Sequence, residues 1–312
     1  MWTDLGISVL NGMFGDYLRD RGNGLAIDMA FYHRNRPLPL TAESLYQAHP
    51  HPTTKLCILL HGLGCNEGVW AFRDATQRYP ETSYGTLLQK EFGYTPFYVR
   101  YNTGLPIAEN GKGLAALLDE LLACYPVGIA EIVLIGHSMG GLVLRSACHY
   151  GTQRQSPWVG KVGQAFYLGT PHDGADLEKL GHVATAVLHA VPNPITRLIG
   201  TILNQRSQGV KDLRSGRLLD DAPDTLGPNG EPAVPWLASA HHYLIVGTLT
   251  RDSQHVAARL FGDALVRPPQ DNTFKPGANV KLFRRMHHLK LAHDPRVYRQ
   301  IKRWCGSDLK RS

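Results

Sequence analysis

The segment EIVLIGHSMGGLVLRSACHY, residues 131–150, decides the fold class of this 312-residue chain. Its first part, EIVLI at 131–135, predicts a strand that is buried on both faces, as the strands of a parallel sheet are. A glycine-rich turn follows, and from Met139 the apolar spacing predicts a helix that Gly151 ends. A buried strand joined by a tight turn to a helix is the repeating unit of a parallel α/β sheet.

Apolar runs of similar length recur on both sides of this segment and extend the predicted sheet. They are KLCILL (55–60), PFYVRY (96–101), QAFYL (164–168), HYLIV (242–246) and NVKLF (279–283). Leucines at helical spacing over 114–122 predict a helix closed by Pro126, and residues 295–304 predict a terminal helix. We therefore expect an α/β fold with a mostly parallel central sheet flanked by helices.

The whole chain, residues 1–312, is expected to form one domain with three additions to the sheet. Residues 1–50 are predicted to hold the leading strands and a helix over 2–18 whose apolar stripe packs on the body. That stripe consists of Trp2, Leu5, Val9, Met13 and Tyr17. Residues 175–236 combine apolar residues at helical spacing with a proline-rich loop, which predicts a helical cap or lid. Residues 281–312 are expected to carry a histidine loop and a basic terminal helix.

The chain has 33 Lys and Arg against 26 Asp and Glu, and this formal charge of +7 raises the question of a polyanionic partner. The excess is local, because residues 281–312 contain ten basic and two acidic residues. A solvated basic helix accounts for it and no groove-reading motif accompanies it, so we expect no nucleic-acid partner. Retention on DNA that falls steeply with salt would instead argue for a nucleic-acid binder.

Other classes of protein are also disfavoured. No apolar run approaches the length of a transmembrane helix, and the N-terminus lacks the basic start of a secretory signal. The five cysteines form no C-x-x-C pair, which disfavours a zinc ribbon or a disulfide framework and favours a reducing, cytoplasmic location. No metal-ligand spacing and no phosphate-binding or dinucleotide fingerprint follows a strand, so neither a metal nor a cofactor is expected.

Ser138 is the expected nucleophile. It occupies the centre of GHSMG (136–140), a G-x-S-x-G pattern between a predicted strand and a predicted helix. Glycines two residues before and two residues after leave room for a turn that displays the hydroxyl at the carboxyl edge of the sheet, beside a helix N-terminus. Because a serine hydroxyl needs a base, an acid and then a histidine are expected to follow it along the chain.

The acid and the base are each predicted with a competitor. Asp263 in FGDALV is the expected acid, since it follows a glycine and leads into an apolar turn, and Asp252 just after HYLIV is its competitor. His288 is the expected base because it lies where the chain leaves the last strand, and His287 is its nearest rival. His293 is interpreted as a helix-entry residue.

Two backbone N–H groups are predicted to stabilise a negatively charged oxygen. One belongs to Met139, directly after the nucleophile, and the other to Leu63 in the sequence HGLG (61–64) that follows KLCILL. Nothing about Ser138 requires a second glycine-rich turn at the end of a neighbouring strand. This turn is therefore independent support for an oxyanion hole.

Four motifs resemble, in this order, the α/β-hydrolase superfamily within its lipase and esterase branch. They are HGLG (61–64), GHSMGG (136–141), GTPHDG (169–174) and HLKLAHDPRVY (288–298). The chain is most similar to bacterial lipases grouped with the PGAP1-like GPI-inositol deacylases, over residues from about 55 to 304. The resemblance implies the α/β-hydrolase fold and ester hydrolysis through an acyl-enzyme, with Asp263 and His288 as acid and base. The sequence GDALV departs from it, with Ala where that branch commonly has Gly.

We therefore expect a serine carboxylic-ester hydrolase, an esterase or lipase of lipid metabolism, acting on small-molecule or lipid esters with apolar acyl chains. An acyltransferase or thioesterase with the same residues is the enzyme alternative, because these reactions differ only in the attacking or leaving group. A catalytically silent binding protein of hydrolase fold is the alternative from another class. Transient contact with a lipid interface fits this expectation, and the oligomeric state is left open.

Overall fold

The structure of the protein is a computed structural model that describes residues 2–72, 82–172, 207–215, 217–220, 234–248 and 279–308. Its helices are α1 Trp2–Asp20, α2 Ala42–Ala48, α3 Tyr84–Phe92, α4 Ile107–Cys124, α5 Met139–Gln153, α6 Gln208–Ser215 and α7 Pro295–Asp308. Its strands are β1 Ala30–His33, β2 Arg36–Pro37, β3 Lys55–Leu60, β4 Tyr94–Arg100, β5 Glu131–His137, β6 Val162–Leu168, β7 His241–Thr248 and β8 Val280–Arg284. Short 3₁₀ helices span Glu67–Trp70, Val159–Lys161 and His288–Ala292.

In the described residues the strands form one sheet in the order β2-β1-β4-β3-β5-β6-β7-β8. β1 and β2 are antiparallel at one edge, and the other six strands run parallel. The register pairs Leu60 with Gly136 and His137 with Leu168. Because parallel strands end at the same edge, the turns after β3, β5 and β6 lie side by side. The predicted mostly parallel sheet is confirmed.

Alternate residues of the central strands face two separate cores. From β3, Leu56, Ile58 and Leu60 pack with α4 and α5, whereas Cys57 and Leu59 pack with α3 and α7. All five are fully buried, and burial of each leucine or isoleucine contributes about 1.5–3 kcal/mol. An uninterrupted apolar strand such as KLCILL is therefore the signature of a sheet that helices cover on both faces.

Several helix limits differ from those predicted. α5 continues through Gly151 to Gln153, because this glycine makes room for Trp158: a Cβ on it would lie 2.5 Å from Trp158 Cζ2. Gly151 therefore serves packing inside the helix and does not end it. α4 begins at Ile107, about two turns before the predicted start, and it ends before Pro126 as predicted.

The N-terminal helix docks on the body through part of the predicted stripe: Val9 is buried in a core and Met13 packs against it, but the backbone bends at Phe14 (φ −136°, ψ 17°). Tyr17 of the predicted apolar stripe is 51% exposed. The buried residues are mostly small or polar, namely Ser8, Val9, Asn11, Gly12, Gly15 and Leu18. The Asn11 amide donates to Ile7 O at 2.9 Å and to Leu25 O at 2.8 Å, so its polar atoms are satisfied inside the protein. Close approach of the backbones at Gly12 and Gly15 therefore adds to the apolar contact of this helix.

Most of the predicted cap, residues 175–236, lies outside the described residues. The part that is described includes α6, whose first N–H, that of Gln208, donates to Asp16 Oδ2 at 2.7 Å. In the middle of α6, Asp212 Oδ2 accepts from Ile107 N–H at 3.0 Å, at the start of α4. α6 is therefore fastened to both α1 and α4.

Candidate active site

Ser138 lies in a sharp turn between β5 and α5. Its backbone has φ 54° and ψ −125°, a region that a residue with a side chain rarely adopts. Its N–H donates to Leu168 O at 2.8 Å, and its carbonyl accepts from Gly141 N–H at 3.1 Å. The adjacent strand β6 and the first turn of α5 thus support a strained residue, and such residues cluster at functional sites.

The glycines on either side of Ser138 are required by close approach. A Cβ at Gly136 would lie 2.6 Å from Gly141 Cα, and one at Gly140 would lie 2.5 Å from His61 O. Neither position has room for a side chain, because β5, α5 and the turn after β3 meet there. The strand, turn and helix predicted around the serine are therefore present.

The side chain of Ser138 is placed beside the end of β3. The residue is 3% exposed, and its hydroxyl makes no capping hydrogen bond to α5. A Cβ added to Gly62 would lie 2.9 Å from Ser138 Cβ. Because α5 begins at the next residue, its dipole favours negative charge close to the hydroxyl.

The turn after β3, residues 61–65, is held by two side chains from the loop after β4. Gly64 has φ 65°, and its N–H donates to Thr103 Oγ1 at 3.1 Å. The carbonyl of His61 accepts from Tyr101 OH at 2.8 Å, and the two rings stack with centroids 4.6 Å apart. Residues about 40 positions away in sequence therefore set the shape of this turn.

The two N–H groups predicted to bind an oxyanion, those of Leu63 and Met139, have no acceptor within the residues that the structure describes. Leu63 follows Gly62, which packs against Ser138, and Met139 directly follows Ser138. Both residues are buried, and most N–H groups in the interior of a protein have a partner. The pair is therefore suited to donate to an oxygen of a molecule bound at the serine.

His288 begins the 3₁₀ helix that follows β8, and it is buried. Gly169, directly after β6, has φ 61°, and a Cβ there would lie 2.9 Å from both Nδ1 and Cε1 of His288. This glycine leaves the space that the imidazole occupies, beside the strand that pairs with β5. The rival His287 is exposed. The structure thus brings His288, rather than His287, to the edge of the sheet that carries Ser138.

His137 joins the serine turn to the histidine turn (residues 287–294), a role that sequence reasoning missed. Its Nε2–H donates to His288 O at 3.0 Å, and the two ring centroids are 4.8 Å apart. A Cβ on Gly62 would lie 3.2 Å from its Nδ1, so the ring also touches the turn after β3. Burial, reinforced by the charge of neighbouring histidines, lowers the pKa of His137 well below its ordinary value and keeps the ring neutral. Its place inside G-x-S-x-G was the available signal.

The histidine turn is anchored from the side of α3. Tyr84 OH donates to Leu291 O at 2.8 Å and accepts from Asp294 N–H at 2.9 Å. The ring of His293 donates through Nδ1 to Val69 O at 3.0 Å. His293 therefore fastens the entry of α7, which agrees with its interpretation as a helix-entry residue.

The acid of the predicted site lies outside the described residues. Asp263 and its competitor Asp252 both fall within 249–278, so the choice between them stays a prediction. Of the predicted site residues, the structure brings Ser138, Leu63, Met139 and His288 to one edge of the sheet.

A second buried polar cluster lies on α5, the helix that begins directly after Ser138. The Arg145 guanidinium lies 3.9 Å from the centre of the Trp236 ring and 3.3 Å from His172 Nδ1. Burial, followed by the charge of Arg145, holds the pKa of His172 well below its ordinary value. A neutral His172 packed against Tyr167 and Trp236 shapes the chain after β6, within the GTPHDG motif.

Within the described ranges, no group of three or more His, Cys, Asp and Glu is arranged to hold a metal ion. The helices of that part of the chain include none with the length and apolar composition needed to cross a membrane.

The strand order and the strained serine between β5 and α5 decide the fold. The protein has the α/β-hydrolase fold. A family model described as the PGAP1-like alpha/beta domain matches residues 108–207 of this chain, a range that contains β5, the Ser138 turn and β6. The predicted fold is confirmed.

Similar solved structures include three proteins of low sequence identity to this chain. A lipase-esterase related protein from Clostridium acetobutylicum is 15% identical with a TM-score of 0.41, over 80% of this chain and 94% of that one. An esterase from Pyrococcus furiosus is 17% identical with a TM-score of 0.42, over 83% and 82%. Human thioesterase 2 is 12% identical with a TM-score of 0.41, over 81% and 94%. Among curated protein sequences, none matches this chain.

Proposed function

We propose that the protein is a serine carboxylic-ester hydrolase that acts through an acyl-enzyme on esters with apolar acyl chains. One observation carries the proposal: a serine in strained backbone geometry shares one edge of the sheet with the buried His288 and with the N–H groups of Leu63 and Met139, which have no acceptor in the described residues. Each part has a separate place in acyl transfer, as nucleophile, base and oxyanion donors.

In the proposed reaction, Ser138 Oγ attacks the acyl carbon while the His288 imidazole takes the hydroxyl proton. The N–H groups of Leu63 and Met139 donate to the carbonyl oxygen as it becomes negative. The tetrahedral intermediate expels the alcohol, which receives the proton from His288, and an acyl-Ser138 ester remains. Water then gives its proton to His288 and attacks that ester, and the acid leaves as Ser138 recovers its proton.

Asp263 completes the proposal as the residue that orients the imidazole and stabilises its charged form. An Asp263→Asn variant is expected to lose activity by about 10³-fold or more, while Asp252→Asn keeps it. The opposite ranking would transfer the role to Asp252. Circular dichroism and urea unfolding of both variants separate a loss of chemistry from a loss of folding.

The nucleophile is tested with p-nitrophenyl esters from acetate to palmitate, using wild type, Ser138→Ala and the matched control Ser44→Ala. Ser44 lies in α2, and its hydroxyl bonds to Thr41 alone among the described residues. We expect Ser138→Ala to lose about 10⁴-fold or more of kcat/KM and to resist labelling by a fluorophosphonate, while Ser44→Ala behaves as wild type. Retained hydrolysis in Ser138→Ala would contradict the mechanism.

The same experiment separates the alternatives. Matched thioesters of the same acyl chains, and an added acceptor alcohol, test for thioester hydrolysis and acyl transfer. A preference for thioesters or for transfer over hydrolysis replaces the ester-hydrolase proposal on the same residues. A wild type that turns over none of these substrates and takes no fluorophosphonate supports the silent binding protein.

A cap formed by residues 175–236 belongs to the same proposal. Its described part, α6, lies on the catalytic edge, since Gly209 N–H donates to Gly104 O in the loop after β4 at 3.0 Å. A cap that moves predicts that the rate on a long-chain ester rises where the ester aggregates, whereas the rate on acetate stays proportional to concentration. A flat response of the long-chain ester across that point would contradict a moving cap.

A further inference from the structure

The N-terminal helix α1 contacts the turn that carries the predicted oxyanion donor Leu63. A Cβ on Gly12 would lie 3.1 Å from both the N and the Cα of Gly64, and 3.2 Å from Thr103 Oγ1. α1 therefore lies in van der Waals contact with the backbone directly after Leu63. This segment is outside the part of the chain that resembles known lipases.

Glycine and asparagine make this contact close. Gly104 has no room for a Cβ, because Asn11 O and the backbone of Gly15 occupy that place. The Asn102 amide donates to Gly15 O at 2.9 Å, and its carbonyl oxygen accepts from Gly104 N–H at 3.0 Å. The helix backbone is thus bonded to the loop after β4 through the side chain of Asn102.

Thr103 connects this docking to the oxyanion turn. It is buried between α1 and the turn after β3, and its hydroxyl is the acceptor for Gly64 N–H at 3.1 Å. That bond orients the peptide that follows Leu63 and so helps to set the direction of the Leu63 N–H. A shift of α1 would move Thr103 and Gly64 together.

We propose that α1 positions the oxyanion hole, with Gly12 and Thr103 as the positioning residues. The inference rests on the proposed function, since it concerns how the Leu63 N–H meets the developing negative charge. It gives the N-terminal helix a part in the chemistry that its amphipathic pattern does not predict. Because removal of one oxyanion donor costs about 10²–10³ in kcat, a misdirected donor is expected to cost about tenfold or more.

The cap supplies the other side of this arrangement. Ser207 OH donates to Gly12 O at 2.8 Å, and Gln208 N–H donates to Asp16 Oδ2 at 2.7 Å. α1 is thus held between α6 and the loop after β4. Its position along the catalytic edge is set from two directions.

The first test compares Gly12→Ala with the matched control Gly6→Ala on the same helix. A Cβ at Gly12 must displace Gly64 by a few tenths of an ångström, whereas a Cβ at Gly6 meets nothing within 4 Å among the described residues. Both changes favour the helix, so neither is expected to lower the Tm by weakening α1. We expect Gly12→Ala to lose about tenfold or more of kcat on p-nitrophenyl butyrate with KM within twofold, and Gly6→Ala to keep wild-type kinetics.

The second test compares Thr103→Val with Thr103→Ser, because serine keeps the acceptor and valine removes it at nearly constant volume. A phenylboronic acid, which forms a tetrahedral adduct with an active serine, gives a readout of the oxyanion hole that does not depend on turnover. We expect its Ki to rise by the same factor as kcat falls in Gly12→Ala and Thr103→Val, and Thr103→Ser to retain both.

The outcomes distinguish this inference from the proposed function. An active wild type, an inactive Ser138→Ala and unchanged kcat and Ki in both Gly12→Ala and Thr103→Val would overturn the positioning role alone. A fall in kcat that tracks the loss of Tm, with an unchanged boronate Ki, would also overturn it. An inactive wild type, or an active Ser138→Ala, overturns the proposed function and this inference with it.

Discussion

Two glycine-rich turns stand side by side at the catalytic edge, and they are built in different ways. The serine turn after β5 holds Ser138 at φ 54°, and the glycines that make it possible lie within three residues of the serine. In the turn after β3, the only positive φ is at Gly64, and glycine adopts that conformation without strain. The shape of this turn nevertheless depends on Thr103 and Tyr101 from another loop.

The difference shows that a strained turn needs its own sequence, whereas a relaxed turn takes its shape from its surroundings. Any change inside the serine turn is therefore expected to damage folding as well as chemistry. Changes around the turn after β3 are expected to leave the protein folded and to affect chemistry through the direction of the Leu63 N–H.

The largest effect is expected inside the serine turn, for Gly136→Ala. The new Cβ would lie 2.6 Å from Gly141 Cα and N, where backbone must move. We expect a loss of about 3 kcal/mol in the free energy of unfolding, measured in urea, together with loss of esterase activity. Gly128→Ala is the control, because its Cβ meets no described atom within 4 Å, and it is expected to stay within about 0.5 kcal/mol of wild type. Equal stability of the two variants would show that the turn adapts.

The next effect concerns pH and the turn after β3. Burial lowers the pKa of His61 from 6.5 to about 4, so the unfolded chain takes up the proton first as the pH falls. The protein is therefore expected to lose stability between about pH 6.5 and pH 4, with a share of about 3 kcal/mol from this residue.

A His61→Asn variant tests that share, because asparagine does not titrate in this range. Its unfolding free energy is expected to depend less steeply on pH than that of wild type. His51→Asn, at an exposed histidine, serves as the control and is expected to keep the wild-type slope. An unchanged slope in His61→Asn would remove this residue from the acid sensitivity.

A smaller effect is expected at His137, which bridges both turns and the histidine turn. His137→Phe keeps an aromatic ring but loses the hydrogen bond from Nε2 to His288 O. We expect kcat to fall about tenfold, which corresponds to about 1.4 kcal/mol, with a smaller fall for His137→Gln, whose amide restores a donor. If the two variants have the same kcat, the hydrogen bond to His288 does not position the base.

The smallest effect is expected for Tyr101→Phe, which removes the hydrogen bond to His61 O and keeps the stacked ring. Such a bond contributes about 1 kcal/mol, and we expect the free energy of unfolding in urea to fall by that amount. Because the same bond holds the turn after β3, we also expect a two- to threefold fall in kcat. Tyr46→Phe, on a side chain that is 58% exposed, is the control. A loss in stability without any change in kcat would mean that His61 O does not guide the turn.

The sheet was predictable because each of its strands is marked by a short run of apolar residues. KLCILL is the strand Lys55–Leu60, because a short apolar run bounded by polar residues is typical of a strand in a sheet that is buried on both faces. Helix limits were less predictable. Glycine is common at helix ends, and Gly151 was therefore predicted to be one. In the structure Trp158 packs where a side chain at position 151 would lie, and no local sequence pattern indicates that contact.

The residues of the candidate site also differ in how far the sequence predicts them. Ser138 and the two oxyanion donors follow from motifs that are read within a few residues. His288 and His287 are adjacent and chemically identical, so only burial against Gly169 separates them. Asp263 and Asp252 lie outside the described residues and stay predictions. His137 was visible in the motif, but its bond to His288 O joins positions 151 residues apart.

By itself, the sequence determined the α/β fold class and the strained serine turn, because both depend on contacts between neighbours in the chain. Only the tertiary structure decided which face of α1 docks, which histidine approaches Gly169, and what holds the turn after β3. The reason is distance along the chain: Thr103 reaches Gly64 across 39 residues, and Tyr84 reaches Leu291 across 207. Such pairings follow from how the strands are ordered in the sheet, and no local pattern encodes them.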